Sequence, residues 1–280
     1  VTILPPEPES QAMTDIADTP PAIEQDRELT QDGPALRLWM IDASAYIFRA
    51  YHALPPLTRK SDGLPVGAVQ GYCNMLWKLL KDMKGADGPT HLVAIFDHSE
   101  KTFRNTLYDQ YKAHRPPAPE DLVPQFPLVR EATAAFGVHC VELPGYEADD
   151  LIATYSTHAV NAGGKVTIIS SDKDLMQLVD NQTTLYDTMK NKDIGIEDVK
   201  EKFGVTPDKV IEVQALAGDT SDNIPGVRSI GVKTASELIN EFGSVENLLK
   251  NLDKIKQPKR RQAISENKEN DIIILNIRYK

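Results

Sequence analysis

Residues 38–42 read LWMID, an apolar run that ends in aspartate, and the same arrangement returns at LVAIFD (92–97) and VTIISSD (166–172). Short runs of this kind, rich in β-branched residues and separated by helical patterns, read as buried strands. Their alternation with helices predicts an α/β fold with a mostly parallel central sheet and flanking helices. The expected strands lie at 36–41, 91–96, 138–143 and 165–170. Over 66–83, Val66, Val69, Met75, Leu76, Leu79 and Leu80 fall near one helical face and read as core. From about residue 196 the pattern turns all-helical, with short helices expected near 196–203, 208–217, 233–242 and 244–252.

The chain divides into three expected parts. Residues 1–35 are rich in Pro, Asp and Glu without any period and read as a disordered tail. Residues 36–195 form the α/β core, which includes a polar, basic, Pro-interrupted connection at 98–126. Residues 196–280 form a helical subdomain. No apolar run reaches the roughly 18 residues of a membrane span. Cys73 and Cys140 sit in no zinc-ligand pattern, which fits a reduced cytoplasmic setting.

A net charge of −10 looks wrong for a nucleic-acid binder until it is divided along the chain. The tail carries eight acids against Arg27, so −7 of the total belongs there and −3 to the rest. Setting aside nine clustered carboxylates, described next, leaves a surface of about +6, a sign compatible with phosphate.

Asp42, Asp97 and Asp172 terminate strands, at the edge of an open α/β sheet where ligands bind. A single aspartate there is ordinarily the N-cap of the next helix. The fourth run, VHCVELPGYEADD (138–150), leads into a helix whose first turn holds Glu147, Asp149 and Asp150, a placement that the helix dipole alone would favour. SSDKDL (170–175) adds Asp174, and GDTSDNIPG (218–226) adds Asp219 and Asp222. If the nine converge, each pair about 4 Å apart costs roughly 4 kcal/mol at an effective dielectric of 20. Such a site must hold protons or hard divalent cations, and carboxylates without Cys or His select Mg2+ or Mn2+. Two ions about 4 Å apart would serve phosphodiester hydrolysis without a protein nucleophile.

At this point the sequence resembles a known family, the 5′ nuclease domain of bacterial DNA polymerase I within the flap endonuclease superfamily. The resemblance spans about 36–270 and rests on DASAYIFRAYHAL (42–54), FDHSEKTFR (96–104), YKAHRPP (111–117), GYEADDLIATYS (145–156), SSDKDLMQLV (170–179), GDTSDNIPGVRSIGVKTA (218–235) and EFGSVENLL (241–249). It implies a PIN-like 5′ nuclease fold in which Asp42, Asp97, Glu147, Asp149, Asp150, Asp172, Asp174, Asp219 and Asp222 hold Mg2+ directly or through water. It also implies that 98–126 forms a helical arch through which a single-stranded 5′ end passes. Arg104, Lys112 and Arg115 then steer phosphate, with Lys112 nearest the chemistry and Arg104 beside it, while Tyr46 and Tyr111 offer stacking faces to unpaired bases.

The stretch IPGVRSIGVKTASELI (224–239) resembles the helix-hairpin-helix variant of these nucleases, expected over about 224–242. There Gly226 and Gly231 would allow close approach of a phosphate to backbone N–H groups, beside Lys233. Relatives hold a monovalent cation such as K+ at this hairpin. The implied substrates are DNA with a 5′ flap, nick or frayed end, and RNA/DNA primer junctions, in the bacterial nucleoid. The end of the chain departs from the family pattern, which leaves open a stand-alone exonuclease or a piece of a protein with polymerase domains. A phosphatase or RNA-cleaving nuclease would also use clustered acids, and a silent DNA-binding module would keep the hairpin; neither calls for acids, arch and hairpin together.

Overall fold

The computed structural model describes residues 35–269 apart from 84, 86 and 87, so nearly all of the expected tail lies outside the described residues. The elements run β1 (Arg37–Asp42), α1 (Ala43–Ala53), α2 (Gly67–Asp82), β2 (His91–Ile95), α3 (Phe103–Leu107), α4 (Gln125–Ala135), β3 (His139–Val141), α5 (Ala148–Asn161) and β4 (Lys165–Ile169). They continue with β5 (Thr183–Asp187), β6 (Lys192–Ile194), α6 (Ile196–Phe203), α7 (Val210–Ala217), α8 (Val232–Phe242), α9 (Val245–Lys250) and α10 (Pro258–Glu269).

The six strands lie in the order β3-β2-β1-β4-β5-β6, parallel throughout except for the antiparallel edge pair β5–β6. β1 pairs with β2 on one side and β4 on the other, so the chain reverses its direction of winding between β1 and β4. That switch point opens a crevice at the carboxyl ends of the strands. Asp42 closes β1 and Asp172 follows β4 by three residues, so the two acids flank the crevice.

Period-two alternation sends neighbouring strand residues to opposite faces. Ile41, Ala94, Phe96 and Ile169 face α1, α2 and α4 and pack with Ile47, Tyr72, Leu76 and Val129. Met40, Ile95 and Ile168 face the other way, onto Leu151 and Ile152 of α5. The same core runs on without a break into the helical part through Phe203, Val213, Leu216, Leu238, Ile239 and Leu248. Each such buried side chain contributes about 1.5–3 kcal/mol. The helices from α6 onward are thus fused to one face of the sheet.

Local signals set the ends of these elements. Ser244 caps α9 by accepting from the Asn247 N–H at 3.1 Å, and Gly204 ends α6 in the left-handed conformation. The segment 98–126 departs from the expected helical arch. Helix occurs there only at α3 and at the first two residues of α4, and turns and irregular chain fill the remainder. Pro116, Pro117, Pro119 and Pro124 account for this, since each lacks a donor and restrains the residue before it. Among the described residues no helix is long and apolar enough to cross a membrane.

Candidate active site

Asp42 caps α1 through Ala45 N at 3.1 Å and accepts from Ser170 Oγ at 2.7 Å. Asp97, just past β2, accepts from Ser44 Oγ at 2.6 Å and from Ala148 N at 2.8 Å, which ties the second strand to the start of α5. Glu147 is the N-cap of α5, and its backbone N–H donates to Asp150 at 2.9 Å. Asp172 accepts from Asp174 N at 2.8 Å. The dipole of α5 and these N–H donors stabilise acids that would otherwise repel one another.

The repulsion remains visible in two of them. Burial, with Asp97 and Asp172 adding to it, pushes Asp42 up to about 6 from an ordinary 3.8. Asp149 is held well above its usual range, first by loss of water and then by Asp42 and Asp172, although the residue keeps part of its surface exposed. Asp42, Asp97, Asp149 and Asp172 therefore form one electrostatic group. Asp174, Asp219 and Asp222 form a second, with a carboxylate oxygen from each lying within 4.8 Å of the others. A small cavity of about 60 Å3 joins the groups, lined by Glu147, Asp149, Asp150, Asp174 and Asp222. All nine sequence-derived acids thus meet at one end of the sheet. An all-oxygen donor set of this charge fits hard divalent cations.

The basic residues reach into the same place. Arg104 makes a bidentate pair with Asp150 at 2.7 and 2.8 Å and lies over the Phe103 ring at 4.7 Å. Lys112 Nζ is 2.8 Å from Glu147, and Arg115 is 2.8 Å from Asp222. Lys112 occupies the left-handed region, φ 53°, and its backbone N–H donates to Asp222 O at 2.9 Å. A second, larger cavity of about 780 Å3 lies between α1 and the 98–126 segment, with Asp97, Lys112 and Glu147 in its wall.

Several sequence expectations need correction. Tyr46 is 4% exposed and packs edge-on to Tyr72, because it shares the inward face of α1 with Ala43, Ile47 and Ala50; it presents no stacking face. Tyr111 is equally buried, its ring packed on Ile224. Its hydroxyl lies 3.0 Å from Glu147 and 3.3 Å from Asp222, which share its one proton, and burial followed by those two carboxylates raises its pKa far above normal, so it stays a donor. Arg104, 7% exposed, is an internal ion-pair partner. A Cβ on Gly226 would sit 2.1 Å from Ala217 O, so the close approach it permits is to the protein's own backbone. Gly231 has open space around it and caps α8 with no side chain bound to the helix N-terminus; Lys233 beside it is exposed.

Several partners of the acids escaped the sequence reading, among them Ser44 on Asp97 and Ser221 on Asp219. Ser170 and Lys173 lie inside SSDKDL, and Lys173 Nζ is 3.1 Å from Asp219. Gln214, buried on α7, donates from Nε2 to Asp174 at 2.5 Å, while its Oε1 is buried without a partner among the described residues. The signal was a lone glutamine among the apolar residues of VQALA (213–217).

Residues 37–204 match the N-terminal resolvase-like domain of 5′-3′ exonucleases, and residues 205–276 match their C-terminal SAM fold. The chain belongs to the 5′-3′ exonuclease family. It is 58% identical over 233 residues to a DNA polymerase I of Rhizobium leguminosarum, covering 82% of this chain and 23% of that one. It is 41% identical over 220 residues to a 5′-3′ exonuclease of Aquifex aeolicus, covering 79% and 74%. The chain therefore spans about a quarter of the polymerase relative and most of the exonuclease. Among solved folds, a T5 5′-exonuclease with divalent metal ions (zinc) bound superposes with a TM-score of 0.69 at 23% identity over 86% of this chain and 88% of that one. The catalytic core of Rad2 in complex with DNA substrate superposes at 0.51 and 19% identity, covering 85% and 74%.

Proposed function

We propose that this 5′-3′ exonuclease-family chain is a structure-specific 5′ nuclease that hydrolyses DNA phosphodiester bonds with two or more divalent ions, Mg2+ in the cell and Mn2+ as a substitute. The observation that carries the reading is the meeting of nine carboxylates from five separate stretches of chain, two of them with raised pKa. Crowding of this kind costs several kcal/mol unless cations share the site. Bound there, divalent ions would polarise the scissile phosphate and lower the pKa of the attacking water.

The residues of the chain do the rest. Asp42, Asp97, Glu147, Asp149, Asp150, Asp172, Asp174, Asp219 and Asp222 hold the ions, some of them through water. Lys112 pairs with Glu147 in the wall of the larger cavity, where its ammonium meets the charge developing on a phosphate. Arg104 acts through Asp150, fixing that carboxylate in place. The larger cavity has room for a single-stranded 5′ end, with Arg115 at its wall. Gly231 and Lys233 at the start of α8 contact the duplex backbone, where a monovalent cation such as K+ could sit. Phosphate contacts position without reading bases, so selection follows branch and end structure: 5′ flaps, nicks, frayed ends and RNA/DNA primer junctions. Removal of primers and flaps in replication and repair at the nucleoid, alongside polymerase domains, is the role this implies.

Digestion of a 5′-labelled flap duplex with and without Mg2+, reading product lengths, tests the proposal. Asp172→Ala and Glu147→Ala should abolish cleavage while binding persists in Ca2+. Near-normal turnover in both would falsify it.

A further inference from the structure

We infer that the start of α10 is a second grip on duplex DNA, extending the hairpin's hold along the phosphate backbone; this rests on the nuclease reading and deepens it. Between 254 and 261 the chain places Lys254, Lys256, Lys259, Arg260 and Arg261, with no acid among them. This is a local concentration of the positive charge that remains once the acidic tail and the nine clustered acids are set aside. Ile255 within the segment and Ile264 one turn beyond it are buried in the main core and anchor it. Lys254, Lys256, Lys259 and Arg261 consequently face water, and among the described residues their side chains have no ion-pair or hydrogen-bond partner.

Arg260 differs. It lies 3.8 Å from Glu237 of α8. Glu237 is one turn beyond Lys233 and on the same helical face, so the contact sets the basic start of α10 alongside the face of α8 that begins at the hairpin. One exposed cation in water is worth little. Several unpaired within eight residues repel one another, and a polyanion relieves that repulsion while releasing its own counterions. The backbone of each strand offers a phosphate about every 3.4 Å along the duplex axis, a spacing that a patch a few turns long can follow. Residues 251–267 contain no aromatic side chain. Unpaired bases call for stacking faces, so the chemistry selects duplex backbone over single strand.

The test replaces Lys254, Lys256, Lys259 and Arg261 by Gln together, leaving the Arg260–Glu237 contact in place. Binding to flap duplexes with a long and a short downstream arm is measured in Ca2+ from about 50 to about 200 mM salt, a range over which backbone contacts respond strongly. The variant should show a salt slope shallower by about 0.9 per lost contact, so the wild-type advantage shrinks by roughly 100-fold across that range if all four contacts are lost. Shortening the arm should weaken the wild type and leave the variant nearly unchanged. Cleavage at saturating substrate and the unfolding temperature should match wild type. Equal slopes and equal arm dependence, with an active wild type, would overturn the inference alone. A loss confined to the single-stranded flap would also overturn it. Failure of the wild type to bind any duplex would remove this inference and the nuclease reading together.

Discussion

Asp42→Asn separates the charge of the site from its shape. Asparagine keeps an oxygen for the Ala45 N–H that Asp42 caps and occupies the same volume; it removes one negative charge and, like the protonated acid, turns a donor toward Ser170 Oγ where the carboxylate accepts. Burial, reinforced by Asp97 and Asp172, raises Asp42 to about 6 against 3.8. That gap of about two units corresponds to about 3 kcal/mol. Because the folded pKa is the higher one, the native state holds its proton longer than the unfolded chain does. Below both values the wild type and the variant should have equal stability; between about pH 4 and about pH 6 the wild type loses ground, and above that the loss is complete. In EDTA near pH 8, Asp42→Asn should therefore be the more stable protein by up to about 3 kcal/mol, several degrees in Tm for a chain of this size. On the proposed metal site, saturating Mg2+ should reverse the order, since an ion held by the native carboxylates and not by the unfolded chain stabilises the fold. Urea unfolding followed by tryptophan fluorescence, in EDTA and in Mg2+ across this pH range, measures both effects. A wild type that is the more stable protein in EDTA at pH 8, or a difference that ignores pH, refutes the reasoning.

Lys112→Ala should lower the single-turnover cleavage rate far more than it weakens substrate binding; unchanged rates would remove its assigned role. Gln214→Leu should weaken Mn2+ binding about 10- to 100-fold, read by calorimetry, with the fold retained, because Asp174 loses the donor that orients it. Arg104→Ala leaves Asp150 without its bidentate partner and should cost about 3–5 kcal/mol in urea unfolding, with partial recovery when Asp150→Asn is added. Gly226→Ala forces a methyl against the backbone of both Ala217 and Gly218 and should destabilise by about 3 kcal/mol or more, seen as a loss of soluble, cooperatively unfolding protein.

The sheet was legible because each central strand carries a run of mostly apolar, β-branched-rich residues that stops at a polar one. β5 and β6 were not: TTLYD and KDI are short and half polar, and their pairing depends on β4 and on each other. The acids were legible as a group since seven of the nine lie just past a strand or in the first turn of a helix, positions readable from local pattern. Their partners were harder. Arg104 and Asp150 are 46 residues apart, and Gln214 and Asp174 are 40 apart, separations that no local period encodes. Tyr46 was misread even though Ala43, Ile47 and Ala50 mark its helical face as inward, because its stacking role was carried over from the resemblance without weighing that face. The glycine at 226 reads the same from sequence whether its neighbour is DNA or the carbonyl of residue 217.

Seven of the nine acids are drawn from the first 174 residues, while Asp219 and Asp222 hang from the loop that follows α7. The two matched domains meet at residue 204, so a cut at their border would strip the pocket of two donors and of Gln214 at a stroke. Neither half is a spare part. A 5′-3′ exonuclease-family chain built this way does not divide into a self-sufficient acidic head and a detachable rear, because the helices behind residue 204 carry part of the pocket itself.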